Sequence, residues 1–448
     1  MFMYEFMAGL VDTIALRPDE EENTYDPHTH RKVQHPTTYS DTMIHLLKGS
    51  IGAGILAMPE AVCRVGVPAS IGGILLVGAF ATYCIQLLIA AQYRLCKRER
   101  RGYITYPRSM CIALQIGPPA LRKFAIIFYY FVDAVLIMWQ LGICTIYAVF
   151  VASNLKQVCD FYGFSLSLRL HMILMLPPLI IVNLVKNLKL MTPISTISNV
   201  MTIFGLILVF FYLIEDDLQL KEEMMLVKTL LDVPAFIGTT LFALEAVGVV
   251  LALEYNMEKP KQFVGLFGLF NIGMVIIMML YLLVGIFGYL KYGDEIEPSI
   301  TLNLPQMEKK AQAAKIMIAF AIFLSFPLQN FVAYTILYRK MKKRYPNSTP
   351  SALKAMDYTL RVVLVLAPWL LGVLVPSLGP FISLFGAFCL SLLAMVFPAL
   401  MDLCVWHEVS YGPMKCRLLR DVMIVVLGLC ACCSGVYTSV LEIIHAYE

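Results

Sequence analysis

Ionisable side chains are rare inside the apolar segments of this chain, and they concentrate in three of them. His45 lies in the first apolar segment, Asp133 in the third and Glu245 in the sixth. A charge inside a membrane is costly, and such residues commonly carry protons or ions. An imidazole titrates at about pH 6.5, so we interpret His45, Glu245 and Asp133 as candidates for proton coupling. A histidine buried in a hydrogen bond to a neighbouring helix is the alternative interpretation.

A glycine-rich stretch interrupts the first apolar segment at Gly49, Ser50, Ile51, Gly52 and Gly54. Lipid cannot satisfy free backbone N–H and C=O groups, so an unwound stretch within the membrane must face something polar. In transporters that partner is usually a substrate or an ion. The helix that resumes after the break would present free N–H groups and a positive dipole end, which suit a carboxylate.

A second interruption is expected in the sixth apolar segment, at Phe242, Ala243, Leu244 and Glu245. Free carbonyl groups there could accept hydrogen bonds from an ammonium group, and the Glu245 carboxylate would add negative charge. Two such helix breaks together suit a zwitterion, and an amino acid is the simplest zwitterion.

Polar side chains on two other segments could complete a cavity between these breaks. Asp133, Gln140 and Tyr147 recur every seven residues, so they form one stripe on a helix. Ser325 and Gln329 lie on either side of a proline in the eighth apolar segment. A polar contact between two helices is the alternative interpretation for both groups.

The elements that position these residues are predicted to be membrane-spanning helices. Hydrophobic residues make up 59% of the 448 positions and charged residues 15%, which excludes an ordinary soluble domain. Spans of about 20 apolar residues are expected. The sequence predicts eleven of them, at 41–64, 70–93, 124–151, 170–185, 193–214, 232–254, 263–290, 313–338, 358–375, 377–401 and 421–444.

The charges of the connecting loops predict an orientation. Loops 94–123 and 339–354 are rich in lysine and arginine, whereas loop 215–232 is acidic. Basic loops stay in the cytosol, so the N-terminus is expected there and the C-terminus outside the cell or in a lumen. Residues 105–117 within the first basic loop are either an interfacial helix or an ordinary loop.

Five regions follow from this pattern. They are a mobile cytosolic tail at 1–40, five helices at 41–214, an acidic extracytosolic loop at 215–232, five helices at 233–401, and a cytosolic loop with an eleventh helix at 402–448. The interrupted segments are the first members of the two sets of five, which points to a transporter binding site. We expect a lipid bilayer around the chain, and no metal, cofactor, enzyme activity or nucleic-acid partner.

The stretch from His45 to Leu56 resembles the first-helix signature of proton-coupled amino acid transporters, a branch of the amino acid/auxin permease family. The similarity runs from about residue 38 to the C-terminus, with further matching stretches at 140–147, 154–158, 242–257, 293–305 and 326–329. The resemblance implies eleven helices, the first ten in an inverted five-plus-five repeat like that of LeuT. It also implies symport of protons with small neutral amino acids such as glycine, alanine and proline, and it assigns proton coupling to His45.

Two departures from the family pattern bear on these expectations. Some relatives carry a disulfide between the loops after helices three and seven, but loop 291–310 has no cysteine, so Cys159 is expected to be a free thiol. The signature also varies at Ala53 and at Ala57 and Met58, beside the expected pocket. Transport into the cytosol by alternating access is the leading hypothesis, at the plasma membrane or at a lysosomal or endosomal membrane. An amino acid sensor with little net transport is the alternative.

Overall fold

The computed structural model describes residues 25–31, 33, 36–185, 188–215, 224, 230–244, 247–347 and 349–445. Glu245, most of the predicted tail and most of the predicted acidic loop lie outside the described residues. Within these ranges the secondary structure consists of helices joined by short connecting segments. The only β-bridge within them is an isolated one between Thr37 and Met257.

Fifteen helices form the body of the described chain, and we number them in chain order. They are α1 Tyr39–Ser50, α2 Ala53–Val65, α3 Val67–Arg98, α4 Tyr106–Ile116, α5 Ala125–Phe161, α6 Leu168–Asn183, α7 Leu188–Ile214, α8 Val233–Ala243, α9 Val247–Asn256, α10 Leu269–Tyr292, α11 Lys309–Arg344, α12 Pro350–Leu374, α13 Leu378–Phe385, α14 Phe397–Trp406 and α15 Cys416–His445. Short helical turns lie at Pro27–His30, Pro119–Arg122, Leu230–Asp232, Pro260–Gln262, Gly293–Glu295, Ile300–Asn303 and Pro413–Lys415.

The arrangement is all-helical, and its helices have the length and composition of membrane spans. Eight helical stretches of the described chain are long and apolar enough to cross a bilayer: seven of the numbered helices, and the stretch Leu378–Trp406 that contains α13 and α14. The bent pair α1 and α2 passes the same test together. The helices α6 and α8 are apolar but shorter. We call the side at which α1 begins the tail side of the bundle.

The region expected to be an interfacial helix or a loop is a helix, α4. Residues along most of its length are buried against α5 and α14, so α4 packs into the protein. The hydroxyl of Tyr106 donates to the carbonyl of Leu393 at 2.7 Å.

A π-helical segment, Gly386–Val396, separates α13 from α14 and lies against α8. A Cβ on Gly386 would stand 2.0 Å from the carbonyl oxygen of Gly238, and one on Gly238 would stand 2.4 Å from that of Ser383. Because only glycine permits so close an approach, α8 is held backbone to backbone against this segment. The first half of the second interrupted span is thereby fixed.

The described residues of the N-terminal tail before α1 are 25–31, 33 and 36–38. They lie against the bundle, and we call them the N-terminal strap. Its Arg31 guanidinium donates to the carbonyl oxygens of Glu254, Tyr255 and Met257, which belong to the C-terminal end of α9. The ring of His28 stacks on Tyr93 at 4.7 Å, and burial lowers the pKa of His28 to about 4. These contacts join the strap to the end of α9, since a guanidinium satisfies carbonyls that a helix end leaves free.

Candidate functional site

The first interrupted span is broken at the predicted place. The helix α1 begins with a capping box between Thr38 and Asp41 and ends at Ser50, and α2 begins at Ala53 with a bend of 54° between the two. Gly52 precedes α2 and gives no side-chain cap. The first-turn N–H groups of α2 have no partner within their own helix, so the positive end of α2 faces the break.

The first helix at the second predicted interruption ends within the predicted stretch. The helix α8 ends at Ala243, and the N–H of Leu244 closes its last turn on the carbonyl of Thr240 at 3.0 Å. The next described helix, α9, begins at Val247. Phe242 and Leu244 are buried, and the Phe242 ring meets Trp139 edge to face at 5.4 Å.

The two breaks lie next to each other. A Cβ on Gly54 would stand 2.6 Å from the Cα of Ala243 and 3.1 Å from its Cβ. The start of α2 and the end of α8 therefore touch through their backbones, which explains why residue 54 is glycine.

Tyr281 on α10 joins the two breaks, although nothing in the sequence pattern singled it out. Its hydroxyl lies 2.6 Å from the carbonyl oxygen of Ser50 and 2.6 Å from that of Ala243, the last residues of α1 and α8. The Ala243 carbonyl, which we expected to be open to an ammonium group, is engaged by Tyr281 in this conformation.

A cavity of about 450 Å³ opens beside the first break. This volume lies within the range of about 300–1,000 Å³ that is usual for small-molecule sites. Its walls come from α1, α2, α5, α7 and α11. The lining residues are His45, Lys48, Gly49, Ile51, Gly52, Leu56, Tyr147, Ser195, Thr196, Asn199, Thr202, Ile318, Ile322, Ser325, Leu328 and Gln329.

The cavity brings together seven of the predicted site residues from three spans. The other predicted residues that the structure describes are not in its lining, and Glu245 lies outside the described residues. The seven are His45, Gly49, Ile51, Gly52, Tyr147, Ser325 and Gln329. Ser50 is buried behind the break, where its hydroxyl donates to the carbonyl of Leu46 at 3.1 Å. Gln140 is buried away from the cavity lining, and its Oε1 has no hydrogen-bond partner among the described residues.

Asp133 is also absent from the lining. Its carboxylate pairs with the ammonium group of Lys340 on α11 at 2.6 Å, and the aspartate side chain is 6% exposed. The ion pair accounts for a buried aspartate on α5 by linking two helices. Of the predicted stripe on α5, only Tyr147 reaches the cavity.

The polar wall on α7 was missed by sequence reasoning. Ser195, Asn199 and Thr202 follow each other at intervals of four and three residues, so they share one helix face. That spacing was the available signal. The neighbouring Ser198 hydroxyl lies 2.8 Å from both the carbonyl of Ala321 and the hydroxyl of Ser325, which closes the joint between α7 and α11.

The charges around the cavity are basic. His45 and Lys48 line it from α1, and the lining residues that the structure describes include no carboxylate. The Lys48 ammonium adds its field to the positive dipole end of α2. A carboxylate is therefore the ligand group that this side of the cavity favours.

The side of the bundle opposite the tail is closed by polar contacts. The Arg64 guanidinium on α2 pairs with Glu60 at 2.7 Å and with Glu442 on α15. Lys315 is fully buried, and its ammonium donates to Gln157 at 2.8 Å and to the carbonyl of Leu304 at 3.0 Å. Cys159, at the same end of α5, is a free thiol as expected.

Comparisons with known proteins identify the family of the chain. Residues 35–441 match the family model described as transmembrane amino acid transporter protein. The chain is 37% identical over 427 residues to the Drosophila melanogaster "Proton-coupled amino acid transporter-like protein pathetic", covering 95% of this chain and 89% of that protein. It is 24% identical over 425 residues to the Caenorhabditis elegans "Probable amino acid transporter skat-1", covering 92% and 91%. The chain belongs to the transmembrane amino acid transporter protein family.

Proposed function

We propose that this chain is a secondary active symporter that moves small neutral amino acids together with protons toward the cytosol. The observation that carries the proposal is the cavity beside the first helix break, where α1 and α2 meet polar groups from α5, α7 and α11. The names of the two relatives support transport of amino acids, and the name of the fly protein supports coupling to protons.

The substrate carboxylate binds at the positive end of α2, near Gly52. The first-turn N–H groups of α2 donate to it, as at other anion sites on helix N-termini, and Lys48 adds a positive field from α1. Tyr147, Ser325 and Gln329 offer hydroxyl and amide groups to the rest of the ligand. The ammonium group faces the second break, and Glu245 is part of the sequence of that break.

His45 is the proposed proton carrier. It lies two turns before α2 and lines the same cavity, so a change in its charge alters the field at the carboxylate site. A ligand shifts a conformational equilibrium only through unequal affinity for the two states. Protonation of His45 supplies that inequality when substrate is bound. Asp133 is less suited than His45 to carry the proton, because the ammonium group of Lys340 already neutralises its carboxylate.

The placement of the cavity supports transport by alternating access. His45 and Ser195 lie on the tail side of the break, and contacts such as that between Arg64 and Glu442 close the opposite side. This conformation corresponds to a state open toward the cytosol, because the basic loops predict that the tail side of the bundle faces the cytosol. The opposite state requires separation of those closing contacts.

Eleven crossings fit this proposal. They consist of the eight long apolar helices, the broken pair α1 and α2, the shorter α6, and the pair α8 and α9. The first ten form the inverted repeat of five and five helices, with a broken helix opening each half. The surrounding bilayer is the plasma membrane or that of a lysosome or endosome.

The test is uptake of radiolabelled glycine, alanine and proline into proteoliposomes across an imposed pH gradient, with sodium omitted. Uptake that collapses when a protonophore removes the gradient supports the symporter. Substrate binding without flux in either direction would contradict it and favour the sensor.

A further inference from the structure

The Tyr281 hydroxyl occupies a position where two helix ends converge. Ser50 is the last residue of α1 and Ala243 the last of α8, and the carbonyl oxygen of each lies 2.6 Å from this hydroxyl. Tyr281 is fully buried on α10, a continuous helix that packs along α2. One side chain on an unbroken span therefore contacts both interrupted spans at their breaks.

Carbonyl groups at these places need a donor. The last carbonyls of a helix have no partner in their own helix, and both carry the negative end of a helix dipole. Water is scarce at this depth of a membrane, so an unsatisfied carbonyl costs several kcal/mol. A phenolic hydroxyl has a single proton and donates fully to one acceptor at a time, so the two breaks share one donor.

We infer that Tyr281 is a positioning residue whose hydroxyl clamps the two helix breaks together and sets their relative position for substrate. Any movement that separates α1 from α8 must leave one of the two carbonyls without this donor. The clamp thus ties the geometry of the first break to that of the second. Tyr281 is not among the residues that line the cavity, and the transport readout of its role rests on the proposed function.

Tyr281→Phe removes only the hydroxyl, and the chain offers a matched control. Tyr106 is also buried, and its hydroxyl also donates to a backbone carbonyl, that of Leu393 at 2.7 Å, but it lies on α4 away from both breaks. Tyr106→Phe therefore reports what the loss of one such bond does to stability alone. Insertion of 4-aminophenylalanine at position 281 restores a donor on an aromatic ring.

The first readout is amide hydrogen exchange of the purified full chain without substrate. We expect Tyr281→Phe to speed exchange at residues 49–54 and 241–244 by about tenfold, equal to about 1.4 kcal/mol, and Tyr106→Phe to leave both stretches unchanged. The second readout is proteoliposome uptake. Tyr281→Phe should raise KM by about tenfold with a melting temperature like that of Tyr106→Phe, and 4-aminophenylalanine should restore KM.

Unchanged exchange at both breaks in Tyr281→Phe would overturn the inference. Equal losses of melting temperature and of uptake in Tyr281→Phe and Tyr106→Phe, or failure of both variants to fold, would show a packing role and overturn it as well. If the wild-type protein carried no substrate, the proposed function would fail, and the exchange measurement would still decide the role of Tyr281.

Discussion

Gly54→Ala tests whether the contact between α2 and α8 holds the substrate site in shape. The new Cβ would stand 2.6 Å from the Cα of Ala243, whereas ordinary contact begins at 3.4 Å. The two backbones must therefore separate by at least 0.8 Å, the difference between these distances. The contacted atoms are the Cα and the Cβ of Ala243, so no flexible side chain can move aside instead.

Overpacking of this kind costs about 1–3 kcal/mol. If the cost falls on the substrate-binding geometry, affinity drops by a factor of about 5 to 150, at 1.4 kcal/mol for each tenfold change. We expect the effect in KM for uptake and in the dissociation constant measured by scintillation proximity. The fall in melting temperature should correspond to no more than the cost of one overpacked site, about 1–3 kcal/mol.

A matched variant separates this effect from the substitution itself. A Cβ on Gly72 of α3 meets nothing within 4 Å. Gly72→Ala should keep wild-type affinity within about twofold, well below the 1.4 kcal/mol of a tenfold change. Wild-type KM and melting temperature in Gly54→Ala would refute the reasoning, because the backbones would then not be in contact during binding.

Four further predictions follow from other contacts. His45→Ala should abolish the stimulation of uptake on lowering the outer pH from about 8 to about 6, on either side of the ordinary imidazole pKa; normal pH dependence would rule out this proton carrier. Gly52→Leu should block binding while the protein still inserts and folds, because the larger side chain points toward Tyr147 across the cavity; wild-type binding by the variant counts against the site. Asp133→Asn should lower the free energy of unfolding by about 2 kcal/mol and keep acid-stimulated uptake. The double variant with Lys340→Gln should recover part of this stability, as measured by thermal unfolding. Loss of the pH dependence of uptake in Asp133→Asn would show that Asp133 belongs to the proton pathway. Arg31→Ala should speed hydrogen exchange across the N-terminal strap, since three carbonyls at the end of α9 lose their donor; unchanged exchange would show that the other strap contacts suffice.

Local sequence signals were enough to locate both helix breaks. Glycines in an apolar segment predict an interruption because lipid cannot pair with free backbone groups, and α1 ends within the predicted stretch at Ser50. The spans predicted at 358–375 and 377–401 are likewise separate helices, since α12 ends at Leu374 and α13 begins at Leu378. These features depend on neighbouring residues alone.

The partners of the site depend on contacts that no local pattern specifies. Asp133 lies on the same helical stripe as Tyr147, but Lys340, more than 200 positions away, pairs with it. Tyr281 resembles any other tyrosine in an apolar helix until the ends of α1 and α8 meet at its hydroxyl. The contacts of the strap could not be predicted from its polar composition, which resembles that of a disordered segment. They depend on Arg31, which binds carbonyl groups at residues 254–257.

A structure determined with glycine, alanine or proline bound would test the central claim most directly. We predict the ligand carboxylate at about 3 Å, hydrogen-bond distance, from the first-turn N–H groups of α2, in the cavity that His45 lines. A continuous helix through residues 51 and 52, or a ligand bound elsewhere beside an empty cavity, would contradict the account.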